Sequence, residues 1–481
     1  MQEPRAWSLV GVVVLTLSLS VAGAETTWES LEDIPTAAVD EAVDWLRGYL
    51  AIDTSNPPGN EGEAADYLAA ILHREGISTR LLVTPNGRTN LYARLEAALV
   101  SSSTADEGAV LLLHHMDVVP PGDGWTVEPW AAKIDRGRIW GRGAIDAKSL
   151  GISHLAAIVD LKRNAARLER DVVFLAVADE ENGGAEGAGW LLRQHPDLFD
   201  DVVGVLNEGG SNRAAGDRLF WWGIEVAQKR PLWIRATTRG RAGHGSTYNP
   251  SSAAHQLVFG LANLFVQPIE FRVTPAAHKY FRAISKYHGE RFGSVFGSGD
   301  IETVQSRFDQ MIEDGRLGNV LLPGMTVFFQ DTIQITSVQT AMSTINVVPP
   351  VAEALLDIRL LPDTPQDEAI DKIREGIGQA PHLEVLLSSE PTEPSPTDSA
   401  VYQALERVLG QRAPLVPSLI TGTTDSRYFR EAGVPAYGFS PFILTGDESR
   451  GIHGPDESIP TSKFRDGLET MRRVVWASAV D

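Results

Sequence analysis

Acidic and imidazole side chains gather in four short motifs between Leu111 and Glu208. They are His115-Met116-Asp117, Gly141-Arg142-Gly143-Ala144-Ile145-Asp146, Asp179-Glu180-Glu181-Asn182-Gly183-Gly184 and Asn207-Glu208-Gly209-Gly210. Each lies at or just past the end of an apolar, strand-like run. In an open α/β sheet, ligands bind at the carboxyl ends of the strands. Carboxylates and imidazoles collected there suit hydrolysis assisted by two metal ions.

Each motif has a bland reading beside the chemical one. A His two positions before an Asp on an extended backbone can turn one ring nitrogen to a metal while the carboxylate orients the ring. One or both of His114 and His115 could instead be satisfied core residues, and alone the motif is a weak sign of a ligand. Asp146 precedes a predicted helix, where it could bind metal or simply cap the helix end. Adjacent glutamates on an extended backbone point in opposite directions, so Glu180 and Glu181 can separate a general base from a ligand. A solvated turn is the other reading, disfavoured by the wholly apolar run before the pair and by Gly183-Gly184 after it. Further along, Gly240 to Ser246 carries His244 in a Gly-rich turn, and Gly451 to Glu457 carries His453 in a loop. Thr421 to Arg427 is a polar loop entering a helix, suited to holding an anion with backbone N–H groups.

The elements that must position these groups are legible from periodicity. Helices are expected at 37–51, 61–75 and 148–163, a strand pair at 79–83 and 90–95, and buried strands at 110–113, 172–178 and 202–206. From residue 233 the character changes. Strands at 233–238, 332–337, 344–348, 354–360 and 382–387, with helices at 252–265 and 367–376, give a β-α-β-β-α-β order with one additional short strand, broken by a polar helical stretch at 275–318. That order describes a small antiparallel sheet with helices on one face. After a linker at 388–399 come a helix at 400–409, a strand at 436–439 and a closing helix at 461–479. The fold class is therefore α/β: a mainly parallel sheet with helices on both faces, plus an inserted α+β domain. The expected division is a leader at 1–24, a first part of the large domain at 25–230 (opening on a loose stretch to about 40), an insert at 231–390 and a second part at 391–481.

Composition narrows the rest. With 481 residues, two domains are the prior. A formal net charge of −21 argues against nucleic acid and anionic membrane surfaces as partners. The chain has no cysteine, so disulfides, thiol nucleophiles and thiolate metal sites are excluded, and any metal is held by nitrogen and oxygen. Arg5, the apolar stretch Ser8 to Val21 and Ala22-Gly23-Ala24 read as a secretory signal peptide cut after Ala24. An uncleaved anchor is the alternative, but the run is shorter than the ~20 residues a spanning helix needs. The expectation is a secreted or periplasmic protein with no stable membrane insertion after cleavage.

In their order and spacing, the motifs resemble the co-catalytic zinc amidohydrolases and exopeptidases, among them glutamate carboxypeptidase, acetylornithine deacetylase, succinyl-diaminopimelate desuccinylase and aminoacylase. The resemblance spans essentially the whole chain after the leader and implies a zinc-exopeptidase-like fold whose insert is a lid or dimerisation domain. It implies His115 and Glu208 on one metal, Glu181 and His453 on the second, and Asp146 bridging them. It further implies Glu180 as general base, Asp117 orienting the His115 ring, and His244 stabilising an oxyanion, in a homodimer, from the partner's lid. Asn346 and Arg359 correspond to lid residues that grip a substrate carboxylate, and Gly422 and Thr423 to a loop lining the substrate site. Ala147 departs from the family, where many members have a second acidic residue; little effect on metal binding is expected. All-nitrogen-and-oxygen ligation suits zinc, with cobalt or manganese as alternatives. The motif His115 to Pro120 and the long helical stretch before Gly318 lean toward the vacuolar carboxypeptidase and N-acyl-amino-acid hydrolase branch. The implied activity is cleavage of an amide bond next to a free carboxylate, by a carboxypeptidase or dipeptidase. An N-acyl-amino-acid amidohydrolase is the alternative, and a non-catalytic binding protein on the same fold a remote one.

Overall fold

The computed structural model describes residues 27–97, 108–216, 218–322, 324–341 and 344–480. The expected signal peptide and its cleavage site lie outside the described residues.

Residue type explains the central sheet. Every residue of the strands Ala109–His115 and Val172–Val177 is buried, the mark of parallel strands covered on both faces. With Val202–Asn207 and Ala436–Gly438 they form the parallel centre of a nine-stranded sheet. The antiparallel pair Thr79–Val83 and Thr89–Leu95 extends one side. Arg218–Gln228 and Leu415–Ile420 extend the other. Sequence periodicity misses both of these strands. Leu415–Ile420 contains Pro417, which removes a ladder donor and is tolerated here because the strand lies at the sheet edge.

One face of the sheet is covered by the helices Thr36–Leu50, Glu61–Arg74, Lys148–Arg163, Ala400–Leu409 and Thr461–Ala479. The shorter helices Ala188–Gln194 and Ser426–Glu431 cover the other. Gly151 allows the Lys148–Arg163 helix to lie close over the Ala109–His115 strand: a Cβ there would sit 2.3 Å from the His114 ring. This close approach brings the turn carrying Asp146 over the strand end carrying His115.

The second sheet has four antiparallel strands in the order Thr332–Thr340, Val351–Leu360, Arg230–Arg239, His382–Ser388. Strict alternation of burial along Val351–Leu360 puts one face on the helices Ala253–Phe265 and Gln366–Ile377 and leaves the other open. The polar helical stretch has a different destination. Its helices Pro275–Ile284, Gly289–Phe296 and Ile301–Glu313 pool Phe281, Phe292, Phe296 and Phe308 into a core with Trp221, Ala227, Val416 and Leu419 of the large sheet. Lying between lid elements in the chain, it nevertheless packs on the large sheet, where its apolar face finds cover.

The leader after residue 27 is not loose. Trp28 is buried. The closing helix clamps the backbone: Arg472 donates to the Glu32 carbonyl at 2.7 Å, Arg473 to the Leu31 carbonyl at 3.3 Å, and Glu469 accepts the Ile34 N–H at 3.0 Å. Such contacts go to backbone atoms and leave no pattern in sequence. Among the described residues, no helix is long and apolar enough to cross a membrane.

Candidate metal centre and active site

Five side chains from five separate segments converge beyond the parallel strands. His115 ends its strand, with Nε2 3.1 Å from Asp146 Oδ1 and 3.7 Å from Glu208 Oε1. His453, in a loop at φ 57°, places Nε2 3.2 Å from Asp146 Oδ2 and 3.2 Å from Glu181 Oε2. Two donor triads result, His115–Asp146–Glu208 and Asp146–Glu181–His453, each with its donor atoms within 4.8 Å of one another. Asp146 belongs to both and turns one oxygen to each. It does not cap the following helix, whose N-cap residue is Ala147.

The donor set fits two divalent cations. Among the described residues, the ion-pair partners of Asp146, Glu181 and Glu208 are the two imidazoles alone. Burial, reinforced by the Asp146 and Glu181 charges, pushes the Glu208 carboxyl up to about 7. Hydrogen bonds to Asp146 and Glu181 hold His453 up at about 10. Burial works against a charge on His115, but Glu208, Asp117 and Asp146 together raise it. Held this close, the imidazoles and carboxylates offer the nitrogen and oxygen donors that divalent cations take.

Glu180 and Glu181 are separated differently from the sequence expectation. They lie on a 3₁₀ turn, Glu180–Asn182, entered through Asp179 in the left-handed region at φ 71°, not on an extended strand. The turn is fixed by Asp117, whose Oδ1 accepts the Glu180 N–H and Oδ2 the Glu181 N–H, each at 3.1 Å. Glu180 is partly open to solvent. Burial of its carboxyl raises its pKa well above the usual range, and the charges of Glu208, Asp425 and Glu181 add to this while His115 opposes it.

The His115 ring is oriented chiefly by the Asp117 backbone: Nδ1 lies 2.9 Å from the Asp117 carbonyl and 3.6 Å from its carboxylate. The Asp117 carboxylate, expected to orient the ring, faces it and also serves the turn. Other positioning groups were missed. Asn56 donates to Asp117 at 2.7 Å and accepts from Asn182 at 2.7 Å. Arg88 pairs with Asp179 at 3.1 Å and also with Glu61. Glu457, fully buried, accepts the N–H groups of Gly143, Ile145 and Asp146 at 2.8, 2.7 and 3.1 Å, and pairs with Arg142 at 2.6 Å. It therefore holds the Asp146 turn from a position four residues after His453. The one available signal was its place in the His453 loop.

The lid residues form two groups. His244 and Asn346 lie on a small ribbon in which Gly243–His244 pairs with Val347–Val348 and Gly245 donates to the Asn346 carbonyl at 2.7 Å. His244 is exposed, with Nδ1 2.7 Å from Ser246 Oγ. Among the described residues, no hydrogen bond or ion pair joins this ribbon to the acidic cluster. Arg359 turns its guanidinium fork to Asp357, with Nε 2.8 Å from Oδ1 and Nη2 3.0 Å from Oδ2, and donates from Nη1 to Thr423 Oγ1 at 3.0 Å. The fork expected to grip a carboxylate is thus engaged within the protein. Gly422 is exposed beside Thr423.

Comparison with known proteins extends these observations. The sequence profile described as peptidase family M20/M25/M40 matches residues 111–477. Human aminoacylase-1 is 26% identical over 447 residues, spanning 91% of this chain and 95% of the relative. Among solved structures, the M20 family metallo-carboxypeptidase Sso-CP2 from Sulfolobus solfataricus superposes with a TM-score of 0.67 at 18% identity, covering 91% of this chain and 99% of the other. Human carnosine dipeptidase 1 gives a TM-score of 0.63 at 16% identity, covering 92% and 97%. At these identities the structural likeness is one of fold.

Proposed function

The chain belongs to peptidase family M20/M25/M40 and is a metal-dependent hydrolase of amide or peptide bonds; from that premise we propose that it cleaves N-acyl amino acids, with two metal ions, at the amide next to the free carboxylate. The observation that carries the dinuclear reading is the pair of donor triads sharing Asp146, with Glu180 on the adjoining turn. The acyl-amino-acid reading is supported by the 26% identity to human aminoacylase-1 across nearly the full length of both chains. It thereby moves ahead of the dipeptide reading, which shares the free carboxylate and differs in the acyl part.

In this reading His115 and Glu208 would hold one ion, Glu181 and His453 the other, and Asp146 would serve both. Once bound, the ions supply Lewis acidity at the carbonyl and an acidified water. Glu180, its carboxyl made more basic by burial, takes a proton from the attacking water and delivers it to the leaving amine. Asp117 keeps Glu180 aimed by holding its backbone. His244 is suited to donate to the developing oxyanion, but its exposed ribbon must first be brought to the site by lid closure or by a second copy of the chain. In the same movement Asn346 would reach the substrate. Arg359 would have to release Asp357 to meet a carboxylate directly.

The test is turnover of zinc-reconstituted protein on matched libraries of N-acyl amino acids and dipeptides, with Glu180→Gln as control. Cleavage of N-acyl amino acids, lost in Glu180→Gln, supports the proposal. Cleavage confined to dipeptides overturns the substrate assignment and restores the peptidase reading. Export is proposed separately on Arg5, the Ser8 to Val21 stretch and Ala22-Gly23-Ala24. N-terminal sequencing of protein from the cell exterior or periplasm should begin at Glu25.

A further inference from the structure

The turn bearing Glu180 is gripped at its far end by a group that the reaction as described does not use. Arg427 is 3% exposed, although it carries a full positive charge. It donates from Nη2 to the Gly183 carbonyl, three residues after Glu180, and to Tyr428 Oη at 3.1 Å. Tyr428 Oη donates to the same carbonyl at 2.6 Å. The guanidinium carbon lies 4.5 Å from the Tyr428 ring centre. Among the described residues, Arg427 has no carboxylate in ion-pair contact, and its Nε has no hydrogen-bond partner. Burial works against the charge, but Tyr428 and the nearby charges of Asp425 and Glu180 outweigh it and hold the guanidinium charged at this place.

The fit around the turn is close. A Cβ on Gly184 would lie 2.1 Å from Asp425 Oδ1, and Gly183 sits at φ 99°. The loop delivering Arg427 is fixed in turn by Gln228, whose Oε1 accepts the Thr424 N–H at 3.2 Å and whose Nε2 donates to the Thr424 carbonyl at 3.0 Å. Asp117 therefore holds the start of the Glu180 turn by its N–H groups, and Arg427 with Tyr428 holds its end by a carbonyl.

We propose that Arg427 is a positioning residue for the reaction, fixing the Glu180 carboxylate by clamping the Gly183 carbonyl from the buried side. Among the described residues, no hydrogen bond or ion pair joins it to His115, Asp146, Glu181, Glu208 or His453. The proposal rests on the reading of Glu180 as the proton carrier. A turn released at one end lets Glu180 wander by an ångström or so, and misplacement on that scale costs on the order of a hundredfold in rate. If Arg427 acts only through the aim of Glu180, the loss should fall on kcat and leave KM alone.

The experiment compares wild type, Arg427→Met, Arg427→Lys, Tyr428→Phe and Glu180→Gln, each loaded with zinc. Expected are a kcat drop of roughly a hundredfold in Arg427→Met, a smaller one in Arg427→Lys, unchanged KM, two zinc ions per chain, and partial recovery of Arg427→Met by added guanidinium. Unchanged kcat in Arg427→Met, with Glu180→Gln inactive, overturns the proposal. So does a joint loss of kcat, zinc content and melting temperature that guanidinium does not restore. If Arg427→Met fails to fold, Tyr428→Phe decides: kcat must fall with KM and zinc content unchanged, or the proposal is wrong. An active Glu180→Gln variant instead overturns the proposed role of Glu180 itself.

Discussion

Asp117 holds Glu180 by its backbone: one carboxylate oxygen accepts the Glu180 N–H at 3.1 Å, while the carbonyl of the same Asp117 lies 2.9 Å from the His115 ring. One residue thus fixes a metal donor and the candidate base relative to each other. Asp117→Asn keeps the shape but exchanges one anionic acceptor for an amide N–H, which would face a backbone donor or Asn56. Loss of such an orienting partner typically lowers metal affinity or activity about 10- to 100-fold. Steady-state kinetics with metal titration measure this, and wild-type values for both would refute the arrangement.

Shared and unshared donors should separate in metal stoichiometry. Asp146 belongs to both triads, while His453 belongs to one. Asp146→Ala should therefore weaken both ions, and His453→Ala only one. Metal analysis after gel filtration in limiting zinc reads this directly; one ion retained by Asp146→Ala at full occupancy would contradict a bridging role.

Glu457 ties the His453 loop to the Asp146 turn through three backbone N–H groups and a buried pair with Arg142. Removing one member of a buried ion pair costs about 3–5 kcal/mol, because the other is left uncompensated. Glu457→Gln should lower the urea-unfolding free energy by an amount of that order and weaken metal binding with it. A change confined to ordinary surface-mutation scatter would show that Arg142 is satisfied by its carbonyl contacts alone.

His154 supplies a pH dependence with a definite sign. Both its ring nitrogens are buried without a partner, and burial lowers its pKa to about 3. Between an unfolded value near 6.5 and that folded value, the unfolded chain binds the proton and the folded chain does not. Stability is therefore lost as pH falls through this window, at about 1.4 kcal/mol per unit. His154→Leu removes the titrating group and two unsatisfied atoms. Its urea midpoint should exceed that of wild type, and the gap should widen from pH 7 to pH 5; parallel curves would rule the account out.

The exposed ribbon carries Tyr248, 89% exposed, and Ile345, fully exposed, beside His244 and Asn346. If His244 acts from a second copy, the active species is a dimer and His244→Ala loses kcat. Sedimentation and kinetics at matched concentrations decide. A fully active monomer indifferent to His244→Ala would remove both the dimer and the oxyanion role.

The grouping of His115, Asp146, Glu181, Glu208 and His453 as one donor set was implied by the family resemblance of their motifs. The acidic and imidazole motifs themselves, the buried parallel strands and the inserted antiparallel sheet were legible in the chain itself. Their signals are local: residue type in order, burial on both faces as unbroken apolar runs, alternation as burial on one. Tertiary structure decided how those parts are held. It set Glu180 and Glu181 on a 3₁₀ turn, tied the leader to the closing helix, and laid the Phe-rich helices on the large sheet. It also gave Asp117, Glu457 and Arg427 their partners. Those partners are backbone N–H and C=O groups, which nearly every residue carries alike. Sequence can therefore name the side chain that reaches out, but only the folded chain determines which peptide group it meets.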